Sequence, residues 1–187
     1  MSNNTALLVI DMQNDFIKKD VLLEVKGIRA GIPRLAAFID SCRQAKLPII
    51  YTRHCYDPKN NPIEAKLFKF RKNTLRKGLE GWKIYATLKP APQDTVIDKT
   101  RYDAFFKTRL HQILKQKHIK NLIITGTMTE ICCESTARTA MFYDYNIFFC
   151  KDLTFTSDKL THDNTLKVIK HHFGAVVSSP SILKKLW

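Results

Sequence analysis

NLIITGTMTEICCESTARTA, residues 121–140, is the stretch from which the fold can be read. Leu122 to Thr125 make an apolar, branched run of strand length, and Gly126 supplies a pivot. The segment beyond it turns helical, with Cys132 and Cys133 near its first turn. A strand running into a helix N-terminus marks the carboxyl edge of an open α/β sheet, where such sheets hold their sites. Unpaired N–H groups and the positive end of the helix dipole favour a thiolate there. Two more ionisable residues close predicted strands: Asp11 after ALLVI (6–10) and Lys99 after TVID (95–98).

Outward from this stretch, strands and helices alternate. Thr5 to Ile10 is too short for a helix and rich enough in branched residues to be a central strand. From Ile28 the spacing of Ile32, Leu35, Ala36, Ile39 and Cys42 predicts a helix, stopped by Lys46-Leu47-Pro48 before the strand PIIYT (48–52). Residues 53–93 are irregular, with a short helix over Glu64 to Arg71, and read as a binding loop or lid. Thr95 to Asp98 is the third strand, and Thr108 to Lys117 is amphipathic. After the central unit come the strand NIFFC (146–150), a polar turn over Lys151 to Asp158, a helix over Leu160 to His172 capped by Gly174, and a last strand, Ala175 to Val177. The tail ends in Trp187, expected to pack on a neighbouring surface. The alternation predicts an α/β fold, a parallel sheet with helices on both faces, and one domain over residues 1–187.

The adjacent cysteines have different addresses. On a helix from about Ile131, Cys133 shares the sheet-packing face with Ala137, Ala140 and Met141, whereas Cys132 shares its face with Ser135, Thr136 and Thr139. Cys133 therefore reads as structural, and Cys132 as nucleophile or buried bystander. Asp11 could equally cap a loop, and Lys99 could be a surface lysine. If strands one, three and four are neighbours, Asp11, Lys99 and Cys132 meet in one crevice. The carboxylate can take the thiol proton, the ammonium stabilises both anions, and backbone N–H groups over Gly126 to Cys132 can hold an oxyanion.

Composition narrows the classes. The chain has 187 residues, 44% of them hydrophobic, and no apolar run approaches the length of a membrane span. The start MSNNTALLVIDMQ has no basic n-region, so a cytosolic protein is expected. Five cysteines without repeated spacing read as free thiols. The 31 Lys and Arg against 17 Asp and Glu give a net charge of +14, which raises nucleic acid as a partner. The basic residues are spread along the chain, without a basic tail or zinc-finger spacing, so nucleic acid is not the expected partner, and an anionic small substrate is an equally economical use of a few of those charges.

The segments ALLVIDMQNDF (6–16), VIDKTRYDAF (96–105) and GTMTEICCESTAR (126–138) together resemble the isochorismatase-like cysteine hydrolase superfamily, along nearly the whole chain. The resemblance implies a three-layer α/β/α sandwich with a six-stranded parallel sheet in Rossmann-like order 3-2-1-4-5-6. It implies a catalytic triad of Asp11, Lys99 and Cys132, a cis peptide between Thr127 and Met128, and oxyanion donors at the N–H groups of Met128 and Cys132. It also implies a homo-oligomer, a dimer or larger. Nicotinamidases of this superfamily carry an Asp-x-His metal motif after the second strand. Here Tyr51-Thr52-Arg53-His54 stand instead, so neither a metal site nor a cofactor is expected, and His54 and His111 read as structural or solvated.

The intact triad implies cleavage of a C–N bond in a small amide, carbamoyl or ureido substrate through a thioester on Cys132. Two alternatives stay open: a vinyl-ether hydrolase of the isochorismatase type, and a non-catalytic binding protein using its basic surface. Phe16, Tyr102, Phe105 and Phe155 are the candidate substrate-binding residues, with ordinary core packing the competing reading for Phe16. Arg53 or Arg101 could meet a substrate carboxylate, and Arg138 reads as paired within the protein or at a subunit interface.

Overall fold

A computed structural model describes residues 4–186 apart from 60, 68 and 70–72. Its strands are β1 (Thr5–Ile10), β2 (Ile49–His54), β3 (Thr95–Lys99), β4 (Asn121–Thr127), β5 (Asn146–Phe155) and β6 (Ala175–Val177). They pair in parallel in the order β3-β2-β1-β4-β5-β6. The helices are α1 (Asn14–Ile17), α2 (Ile28–Gln44), α3 (Pro62–Leu67), α4 (Leu110–Gln116), α5 (Glu134–Phe142), α6 (Lys159–His172) and α7 (Ser179–Leu186).

The period of two along β1 builds both sides of the core. Leu7 and Val9 face a cluster that contains Ile32, Leu35, Phe38 and Ile39 of α2 and Ile182 of α7. Ala6, Leu8 and Ile10 face Leu110 and Leu114 of α4, Ala137 and Ala140 of α5, and Ile169 of α6. β1 is buried along its whole length, as a central strand covered on both faces must be. The result is a three-layer α/β/α sandwich. No helix among the described residues is long and apolar enough to cross a membrane.

Three sequence expectations need correction, and two helices, α1 after β1 and α7 after β6, were not named from sequence. The stretch read as a polar turn from Lys151 is mostly strand, since β5 runs to Phe155. Its pairing with β4 jumps from Ile124↔Phe149 to Gly126↔Thr154, so the intervening residues bulge. Leu153 is buried there, while Asp152 accepts hydrogen bonds from the Ser179 N–H at 2.8 Å and hydroxyl at 2.6 Å. The bulge, rather than a turn, explains the polar residues. The tail after β6 is a helix, α7, held by that aspartate; Trp187 lies outside the described residues. The loop after β1 contains the short helix α1, and the helix expected over Glu64 to Arg71 is α3, ending at Leu67, with Arg71 outside the described residues. Finally, the third strand does not adjoin the first, because β2 lies between them.

Candidate active site

Gly126 sets where the site forms. It pairs with Ile10 across β1 and β4 at φ +116°, and a Cβ there would collide with the Ile10 carbonyl oxygen. Only glycine brings the two strand ends this close. Asp11 follows directly at φ +51°, a left-handed conformation that aspartate tolerates better than most residues. Its backbone N–H points to the Thr52 carbonyl at 3.2 Å and to the Thr52 hydroxyl oxygen at 3.2 Å. That hydroxyl donates to Asp11 Oδ1 at 2.6 Å. Oδ2 lies 2.6 Å from Lys99 Nζ but accepts no well-aligned hydrogen bond.

Lys99 ends β3, two strands away from Asp11, and its side chain crosses the end of β2 to make this ion pair. Both side chains are buried. Nζ also donates to the Arg101 carbonyl at 3.0 Å and lies 3.4 Å from His54 Nδ1. Burial opposes the ammonium charge. The Asp11 carboxylate, followed by the Cys132 sulfur, more than offsets that and holds Lys99 protonated above its ordinary range.

From the other side comes the turn after β4. The Thr127–Met128 peptide is cis, and Thr129–Cys133 wind one π-helical turn into α5. The Met128 carbonyl accepts from the N–H groups of Ile131 at 3.2 Å and Cys133 at 3.1 Å, closing the turn. Cys132 is 5% exposed and borders a narrow cavity of about 30 Å³ with Phe16, His54, Leu75, Tyr102, Met128 and Ile131. Cys133 is sealed in the core with Ala137 and Ala140. Burial pushes the Cys132 thiol well up, with Lys99 pulling the other way and Asp11 adding to the rise. Burial is thus the largest influence on this thiol and works against a thiolate.

Of the residues named from sequence, Asp11, Lys99 and Cys132 converge, and Phe16, Tyr102 and Met128 border the same cavity. Phe105 and Phe155 do not line it. Phe105 is a core ring packed near Tyr143 and Tyr145, at centroid distances of 5.5 Å and 6.0 Å, while Phe155 lies against Gly31 of α2. Arg53 is ion-paired to Asp98 at 2.7 Å and stacked on Trp82, away from the thiol. Arg101 and Tyr102 border an outer cleft of about 220 Å³ with Ile63, Glu64 and Leu67 of α3. Arg138 pairs with Glu134 on its own helix and lies over Phe173. His111 stacks on Tyr143 and faces the Tyr145 hydroxyl.

His54 stands at the site without a role assigned to it from sequence. Expected to be structural or solvated, it is buried against the cavity. The Gln13 side chain clamps its backbone, accepting from the His54 N–H at 2.7 Å and donating to its carbonyl at 3.1 Å. Because an ammonium only donates, the contact with Lys99 makes His54 Nδ1 the acceptor, while Nε2 lies 3.4 Å from Glu64 Oε1. The one available signal was its strand-end position, level with Lys99 in the β2–β3 register.

Asp11, His54 and Cys132 bring one donor atom each to within 4.8 Å of one another, a set that could hold a metal ion. The Lys99 ammonium lies against two of the three and places a positive charge where a cation would have to sit. The arrangement does not fit a resident metal.

A model of the isochorismatase domain matches residues 5–181. The chain belongs to the isochorismatase family. Nicotinamidase 3 of Arabidopsis thaliana is 32% identical to it over 190 residues, covering 99% of this chain and 90% of the relative. A ureidoacrylate amidohydrolase of Agrobacterium fabrum is 27% identical over 173 residues, covering 81% of this chain and 76% of that one. Among solved structures, N-carbamoylsarcosine amidase from Thermoplasma acidophilum superposes with a TM-score of 0.82 at 26% identity, covering 94% and 95% of the two chains. This isochorismatase-family protein is a hydrolase, and relatives of three different names are amidases or amidohydrolases.

Proposed function

We propose that this hydrolase cleaves the C–N bond of a small amide, carbamoyl or ureido substrate through a thioester on Cys132. The observation that carries the reading is the buried cluster of carboxylate, ammonium and thiol, whose thiol borders a cavity. Burial raises the thiol's hold on its proton, and in this reading the nucleophile is made in place, by transfer of that proton to Asp11 as the sulfur meets the carbonyl carbon. Lys99 stays an ammonium throughout and offsets whichever partner is anionic.

Addition makes a tetrahedral oxyanion, received by the N–H groups of Met128 and Cys132. Collapse expels the nitrogen, which takes the proton from Asp11 and leaves as ammonia or an amine. Water, deprotonated by Asp11, then attacks the thioester, and the thiol recovers its proton as the carboxylic or carbamic acid departs. The net change is one amide and one water to one acid and one amine.

Ammonia release across a panel of amides, ureides and carbamoyl acids tests this, with wild type and Cys132→Ala side by side. Release by the wild type that falls to background in the variant is expected. Release that survives the substitution overturns the thioester route.

A further inference from the structure

β2 contributes no member of the cluster, yet it lies between the strands that carry Asp11 and Lys99. With strands about 4.8 Å apart, the β1 and β3 backbones are separated by roughly 10 Å, and the ion pair must be made over the end of β2. Alternate residues of a strand share a face, so Thr52 and His54 stand together beneath that crossing.

We propose that Thr52 and His54 are positioning residues that fix Asp11 and Lys99 for the thiol step, an inference that rests on the amidase reading above. Thr52 is fully buried, and its hydroxyl gives its only proton to Asp11 Oδ1 at 2.6 Å. That bond fixes the carboxylate's rotation and leaves Oδ2 facing Lys99. On the other side, the Lys99 ammonium donates to the Arg101 carbonyl at 3.0 Å, lies 3.4 Å from His54 Nδ1, and is ion-paired with Asp11 Oδ2 beside the Cys132 sulfur. His54 is held in turn by the Gln13 clamp on its backbone. One strand therefore sets both charged partners of the thiol.

A purely structural pair would leave the proton chemistry unchanged on replacement, whereas a positioning pair would not. The Thr52 hydroxyl donates to the carboxylate that receives the thiol proton, so its loss is expected to move the acid limb of thiol reactivity to higher pH. The titratable groups facing Asp11 are Lys99 from β3, His54 from β2, and Cys132 and Cys133 from the turn after β4. Asp103 acts on Lys99, and Glu130 on Cys133, by charge. The limb belongs to this coupled group and is read as an apparent value.

The test needs no substrate: the rate of Cys132 alkylation by iodoacetamide is followed against pH, with the modified residue identified by mass spectrometry. In Thr52→Val the acid limb is expected to rise by roughly one pH unit, and Thr52→Ser is expected to restore it. His54→Leu is expected to slow alkylation about tenfold, with partial recovery in His54→Asn, whose carbonyl oxygen can accept from Lys99. Profiles of folded Thr52→Val and His54→Leu that overlay the wild type overturn the proposal. Should Thr52→Val fail to fold, the two His54 variants decide it. Failure of the amidase reading registers separately, as ammonia release that survives Cys132→Ala.

Discussion

Cys132 and Cys133 are neighbours in sequence and both buried, yet Cys132 borders the cavity while Cys133 faces the sheet. Helical spacing distinguished them in sequence, although Thr129–Cys133 wind as a π-helical turn rather than the α-helix that spacing assumes. Cys133→Ala is therefore expected to cost about 1 kcal/mol of stability by urea denaturation while alkylation of Cys132 persists. Other features at this scale were not legible. His54 could not be placed, because burial against a cavity depends on Gln13 and Lys99, which are 41 and 45 residues away in sequence. The aromatic residues fared unevenly for a similar reason. Phe16 and Tyr102 reach the cavity, whereas Phe105 and Phe155 lie in equally apolar sequence but fill gaps against helices.

Elements were more legible than side chains wherever their hydrophobic period was unbroken. β1, β2, β4 and α2 are apolar enough to be read directly. β5 was cut short because a bulge inserts Lys151 and Asp152 into an otherwise apolar strand. Asp152 then serves as an anchor for α7. Its carboxyl is held below the usual carboxylate range: burial works against this, and the Ser179 hydroxyl and N–H outweigh it. The linkage has a definite sign. The anchor is present above the unfolded pKa of about 3.9 and is lost as pH falls through the lower folded value. Asp152→Ala is expected to speed amide exchange across residues 179–186 at neutral pH, with the β1–β4 amides unchanged. Gly126→Ala tests the opposite end of the fold's hierarchy. It forces a side chain into the Ile10 carbonyl at a positive φ, and is expected to destabilise the protein by about 3 kcal/mol or more. A soluble, wild-type-stable Gly126→Ala protein would contradict that account of the β1–β4 approach.

For the whole molecule, the resemblance implied the layer order and the residues implied the alternation, but neither exposed how heavily the interior relies on protonated thiols. All five cysteines are free and buried, and burial pushes each thiol upward, Cys42 to about 12. A raised folded pKa leaves stability intact below the unfolded value of about 8.5 and removes it as pH climbs toward the folded one. Denaturation midpoints are therefore expected to fall as pH climbs above about 8.5. Cys42→Ala, which removes one such thiol, is expected to show a shallower slope. The cavity beside Cys132 has its own consequence. Phe16, Leu75, Tyr102 and Met128 line it together with Cys132, which is only 5% exposed, so a reagent reaches the sulfur past these side chains. Reagents of graded bulk would then act as calipers: the fall in alkylation rate from iodoacetamide to a maleimide reports how often, and how wide, the doorway opens.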